Sequence, residues 1–173
     1  MREIELTVSE LPPSAPVVER RAVRAIARNG DALFLLRSRH GDYKFPGGGI
    51  EPGESDEQAL RRELLEECGI RDAWIGDVIV RVTERRPAQT PGAVLVMTSD
   101  YVEVSFADDA VGSTSLEDYE RELDLSATWI DLETAHRVNA DLLQSWDSGR
   151  VDDELPWLPR ETRVLAELLT PPR

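Results

Sequence analysis

The sequence predicts one α+β domain in which a mixed β-sheet carries helices on its faces. Its 173 residues, 40% hydrophobic and 31% charged, suit a single core of ordinary globular composition. Strand-like apolar segments occur both before and after a sharply punctuated helix, so hairpins and crossovers share one sheet. No repeat, low-complexity tract or linker-like shift in composition divides the chain, so residues 1–173 are read as one domain.

Residues 2–8 read as a short strand, ended by the stiff segment 11–16 (Leu11-Pro12-Pro13-Ser14-Ala15-Pro16). Val17 to Arg28 is a strand, Asn29-Gly30-Asp31 a hairpin turn, and the apolar run Ala32 to Leu36 its partner. Gly41 to Gly53 holds five glycines and two prolines and reads as loop. Ser55 to Cys68 is a helix: Ser55-Asp56-Glu57-Gln58 forms a capping box and Gly69 stands at the stop. Val78 to Thr83 and Ala93 to Val104 are strands around a turn at Pro87 to Gly92. Ala107 to Ser126 is an acidic loop, Thr128 to Asp131 a short strand, and Leu132 to Ser145 and Arg160 to Leu169 are helices.

Charge excludes more than it selects. A net charge of −14 with no Lys/Arg-rich stripe argues against polymeric nucleic acid as a partner. A small anionic substrate is still compatible, because a locally bound divalent cation reverses the charge it meets. No apolar run approaches the ~20 residues of a membrane span. The first residues, Met1-Arg2-Glu3-Ile4-Glu5-Leu6, alternate in charge, and Cys68 is the sole cysteine, so the expected compartment is the cytoplasm.

On a helical wheel, Leu60, Leu64 and Cys68 form an apolar stripe, and Glu63, Glu66 and Glu67 fall together in the adjacent arc. Acidic helix faces are usually just solvated. Here, however, like charges at i, i+4 repel by roughly 0.2–0.5 kcal/mol per pair. The last turns of a helix also disfavour acids by roughly 0.3–1 kcal/mol each. A cation between the three carboxylates would reverse both terms, and hard oxygen donors point to Mg²⁺ or Mn²⁺. Just ahead, Phe45-Pro46-Gly47-Gly48-Gly49 removes three consecutive side chains, which lets backbone approach a metal or phosphate closely.

Gly48-x5-Glu54-x7-Arg62-Glu63-Leu64-x-Glu66-Glu67-x-Gly69-Ile70 resembles the Nudix box at every position. The box covers residues 48–70; Trp129-Ile130-Asp131-Leu132-Glu133 also resembles the strand that enters the family's late helix. The resemblance implies an α/β/α sandwich and metal-dependent attack of water at a phosphorus within a diphosphate. It implies Glu63, Glu66 and Glu67 as metal ligands with the carbonyl of Gly47 or Gly48, and Glu54 paired with Arg62 as their support. The general base would be a box glutamate, Glu66 or Glu67, or a glutamate of the acidic loop. There Glu120 and Glu122 are favoured over Glu117.

Arg37 and Arg39, alternating onto one face beside Ser38, are candidate phosphate contacts together with Gly48; Arg81, Arg85 and Arg86 are weaker ones. His40 and His136 read as surface or structural, Cys68 as core, and the tryptophans Trp74, Trp129, Trp146 and Trp157 as core more than base-stacking. Pro87 misses the spacing of ADP-ribose hydrolases, the longer NADH pyrophosphatase motif is absent, and Arg86 stands where dinucleoside polyphosphate hydrolases carry tyrosine. A nucleoside triphosphate, such as a damaged one, therefore ranks ahead of ADP-ribose or another nucleoside diphosphate derivative. The alternative of another class, a non-catalytic nucleotide-sensing domain, typically loses box glutamates, and none is lost here. The resembled family also makes a homodimer an open expectation.

Overall fold

The computed structural model describes residues 1–8, 11, 14–107, 112, 114, 123–146 and 155–170. Its elements run β1 (Arg2–Thr7), β2 (Val17–Asn29), β3 (Ala32–Arg37), β4 (Tyr43–Lys44), α1 (Asp56–Cys68), β5 (Trp74–Pro87), β6 (Val94–Ser105) and β7 (Ser126–Asp131). Two further helices follow, α2 (Leu132–Trp146) and α3 (Leu158–Leu169). Among the described residues the strands form one mixed sheet in the order β1-β5-β6-β2-β3-β4, with β7 on β3. β1 runs parallel to β5 and β2 parallel to β6, while the remaining pairs are antiparallel.

Alternation along the central strands sorts side chains between two layers. Val23, Ala25 and Ala27 of β2 and Phe34 and Leu36 of β3 meet the apolar stripe of α1, Leu60, Leu64 and Cys68. Ile26, Leu33 and Leu35 point the other way, to Leu132 and Ala135 of α2 and Val164 and Leu165 of α3. Helices thus cover both faces. Cys68 is wholly buried, so it packs rather than reacts.

The β2–β3 hairpin turns at Gly30-Asp31, between the paired Asn29 and Ala32. Gly30 has φ +59° at the first central position, as a II′ turn requires. Beyond that hairpin β2 and β3 pair only at Arg28–Leu33, and the glycine loop takes over the freed edge of β2. Val23 N–H donates to Gly48 O (3.0 Å), Ala25 N–H to Pro46 O (2.8 Å), and Ile50 N–H to Arg21 O (3.0 Å). The segment read as pure loop, 41–53, is therefore half ladder. It also contains β4, which escapes any pattern because it is two residues long and is fixed from elsewhere: Asn139 of α2 accepts from Tyr43 N–H and donates to Tyr43 O, both at 2.8 Å.

Other boundaries shift for similar reasons. β5 starts at Trp74 and reaches Pro87, longer than its apolar centre, because β1 and β6 pair with it on both edges. β7 begins two residues earlier, at Ser126, opposite Arg37. α3 begins at Leu158, with proline in its first turn. The helix α1 itself is capped as its sequence dictates: Ser55 Oγ accepts from Gln58 N–H, Gln58 reaches back to Ser55 N–H, and Gly69 closes the end on Leu64 and Leu65 carbonyls.

Leu60→Ala opens a cavity between α1 and β2 and should cost about 2–5 kcal/mol. Leu65→Ala, on the 38% exposed flank of the same helix, should stay within ~0.5 kcal/mol. Urea denaturation of the two variants side by side measures the difference.

Candidate active site

The C-terminal half of α1 faces the glycine loop across a row of carboxylates. Glu63 and Glu67 are buried (9% and 2% exposed), and Glu66 is half-buried. Glu67 accepts Gly47 N–H at 2.6 Å and the Lys44 ammonium at 2.8 Å. Burial pushes its carboxyl up to about 7, against the pull of Lys44 and the Gly47 N–H, with the nearby Glu63 adding to the rise.

Arg62 ties the row to the loop. Its Nε and Nη2 grip both oxygens of Glu54 (2.8 and 3.0 Å), and Nη2 also donates to Gly49 O (3.0 Å). Nη1 meets Glu63 at 2.8 Å and Glu66 at 3.2 Å. The fork geometry of a guanidinium permits all five contacts at once, which lysine could not do. The Arg62 contact, helped by the Glu51 N–H, holds the Glu54 carboxyl down at about 2; Arg62 in turn is raised, first by Glu54.

The glycines are placed by contact. Gly47 has φ +129°, and a Cβ there would come within 2.2 Å of Val23 O; at Gly48 it would meet Glu63 Oε1 at 2.3 Å. Loss of the Gly48 side chain is what lets the Glu63 carboxylate lie against the loop. An all-oxygen set of Glu63, Glu66, Glu67 and loop carbonyls, with a glycine cradle beside it, fits a hard divalent cation. Among the described residues no three His, Cys, Asp or Glu side chains are already gathered into a metal-sized cluster. Arg62 engages Glu63 and Glu66, while Lys44 and Gly47 hold Glu67.

The candidate substrate residues divide. Arg37 lines a cleft with His40, Gly41, Tyr43 and Asp141, to which none of Gly47, Gly48 and Gly49 contributes, and Arg39 is exposed beside His40. Arg81 is spent on Asp100 in a two-point contact (2.6 and 2.8 Å). Arg86, ranked lower, lines a cavity with Gly47, Gly48 and Gly49, together with Arg24, Lys44, Arg160 and Trp157. Arg24, Lys44 and Arg160 were missed, and Trp157 was read as core. Arg24 carried a signal, a lone charge inside the apolar run Ala22–Ala27; Arg160 carried none, since its partners Glu84 and Tyr101 are distant in sequence. Trp157 donates to Asp42 Oδ2 at 2.8 Å, whereas Trp129 packs on Phe34 and Trp74 is exposed. Glu117, Glu120 and Glu122 lie outside the described residues.

A family model for the NUDIX domain matches residues 18–152. The chain belongs to the Nudix family. Nudix hydrolases use divalent metal ions. A 44-residue stretch is 50% identical to an RNA pyrophosphohydrolase of Pectobacterium atrosepticum, covering 25% of each chain. A 58-residue stretch is 41% identical to an RNA pyrophosphohydrolase of Tolumonas auensis, covering 34% of this chain and 32% of that one. The chain thus matches about a quarter to a third of the length of these curated relatives. Among solved structures, a MutT protein from Methanosarcina mazei Go1 is similar at 22% identity and a TM-score of 0.49, over 71% of this chain and 83% of that one. Among the described residues no helix is long and apolar enough to cross a membrane.

Because the folded-state value of Glu67 lies above its ordinary 4.5, its contribution to stability in metal-free protein is full below about 4.5 and is lost as pH rises through about 7. In EDTA the wild-type Tm should therefore fall between pH 5 and pH 8 by more than that of Glu67→Gln. Scanning calorimetry at the two pH values checks the difference of slopes.

Proposed function

We propose that this Nudix chain is a metal-dependent pyrophosphohydrolase acting on a small nucleotide, with a nucleoside triphosphate as the favoured substrate. The observation that carries the reading is the Arg62 contact set, which holds Glu63 and Glu66 on one side and the loop, through Glu54 and Gly49, on the other. A charge cluster so constrained costs stability unless it serves a ligand.

Glu63, Glu66 and Glu67, with a carbonyl of Gly47 or Gly48, would hold Mg²⁺ or Mn²⁺. When bound, the ion neutralises phosphate oxygens and lowers the pKa of water. The protein side of the reaction is orientation. Gly47 N–H and Lys44 fix the Glu67 carboxylate, and Arg62 with Glu54 fixes Glu63 and Glu66 as outer support. Water adds to phosphorus, the bridging P–O bond breaks, and the departing phosphate keeps the electron pair. The water proton passes to a glutamate, one of Glu66, Glu67, Glu120 and Glu122. The names of the matched relatives raise a second substrate, RNA. The net charge of −14 favours the free nucleotide.

A panel of nucleoside triphosphates, ADP-ribose, NADH, dinucleoside polyphosphates and 5′-triphosphorylated RNA, with Mg²⁺ and with Mn²⁺, tests this directly. Turnover of at least one nucleoside triphosphate is expected, and Glu67→Gln should lower kcat by about 100-fold or more. Glu66→Gln, Glu120→Gln and Glu122→Gln locate the base: its loss removes the alkaline-activated limb of the pH profile. No turnover across the panel, or full activity in Glu67→Gln, would sink the reading.

A further inference from the structure

On the sheet face turned away from α1, the glycine loop borders a cavity of about 170 Å³. Arg24 from β2, Lys44 from β4, Arg86 from β5 and Arg160 from α3 all line it. Three carboxylates touch these cations: Glu67 on Lys44, Glu84 on Arg86 and Arg160, and Glu161 on Arg24 and Arg160. Four positive groups against three negative leave an excess of positive charge, in a chain whose overall charge is −14.

The cations are not all consumed by this network. Arg24, with a side chain only 10% exposed, gives one N–H to Gly47 O at 3.0 Å, yet its buried Nε has no hydrogen bond. The Arg86 side chain makes no hydrogen bond among the described residues; its buried Nε lies 3.6 Å from Glu84. The Arg86 guanidinium, 29% exposed and without a side-chain hydrogen bond among the described residues, is the donor that an oxyanion in this positive cavity satisfies. The volume lies below the ~300–1,000 Å³ of pockets that enclose a whole drug-sized ligand, and suits a phosphate group.

One residue joins this cavity to the carboxylate row. Gly47 donates its N–H to Glu67 and accepts from Arg24 with its carbonyl. Lys44 likewise reaches Glu67 while lining the cavity. Resting on the pyrophosphohydrolase reading, we propose that Arg24, Lys44, Arg86 and Arg160 form a subsite for the unesterified terminal phosphate of the substrate. The subsite selects nucleoside triphosphates, which end in a free phosphate, over nucleoside diphosphate derivatives such as ADP-ribose, whose second phosphate is capped.

Calorimetric titration of the protein with inorganic pyrophosphate in EDTA tests the subsite without turnover. Wild type should bind, Arg86→Met should bind about tenfold more weakly, and Arg86→Lys, which keeps the charge but loses the fork, should fall between. In kinetics, the ratio of kcat/KM for a nucleoside triphosphate to that for ADP-ribose should drop about tenfold in Arg86→Met. Absence of pyrophosphate binding in wild type, equal binding in all three proteins, or an unchanged ratio overturns the proposal. Arg86-dependent pyrophosphate binding in a protein that hydrolyses no nucleotide would leave the subsite standing and overturn the hydrolase reading instead.

Discussion

The arrangement of this site depends on the guanidinium of Arg62. It touches both the loop, at Glu54 and Gly49, and the carboxylate row, at Glu63 and Glu66. Without it, two like-charged side chains on successive turns at the negative end of α1 would repel each other and turn to solvent. With it, their oxygens are held toward the glycine loop in a partly buried setting where such contacts are worth more than on an open surface.

The loop is held just as firmly from its other side. Its carbonyls and amides complete the edge of β2 where β3 has turned away, so its position is set by sheet hydrogen bonding rather than by its own composition. Glu161 of α3 adds a buried anchor, accepting Phe45 N–H at 3.0 Å and the Tyr101 hydroxyl at 2.9 Å while pairing with Arg160. Burial and the Glu161 charge push the Tyr101 phenol far up, so it stays a neutral donor. Sheet, α1 and α3 therefore converge on the same few loop peptides. That convergence explains how glycines, which cost conformational entropy, can form a rigid wall.

What the sequence revealed and what it hid follow from the range of the interactions. The caps of α1, the hairpin at Gly30 and the spacing of Glu54, Arg62, Glu63, Glu66 and Glu67 are local patterns, and all could be read in order along the chain. The cavity on the far side of the loop was not legible. Its cations come from four elements, and two of their partners lie far off along the chain, 76 residues for Arg160 and Glu84 and 23 for Lys44 and Glu67. Spacing along a strand drew attention to Arg37 and Arg39, but Arg37, the last residue of β3, lines a separate cleft against α2. Parity along β2 would have been the better guide, since Arg24 points opposite to Val23 and Ala25, toward the cavity.

The central claim is that the Arg62–Glu54 pair orients the carboxylates for a divalent ion. The most direct measurement is Mn²⁺ affinity, read by electron paramagnetic resonance, in wild type and in Glu54→Gln, which keeps the shape of the side chain and loses its charge. The account predicts Mn²⁺ binding about 10–100-fold weaker in the variant, with unchanged circular dichroism. Equal affinity in the two proteins would contradict it.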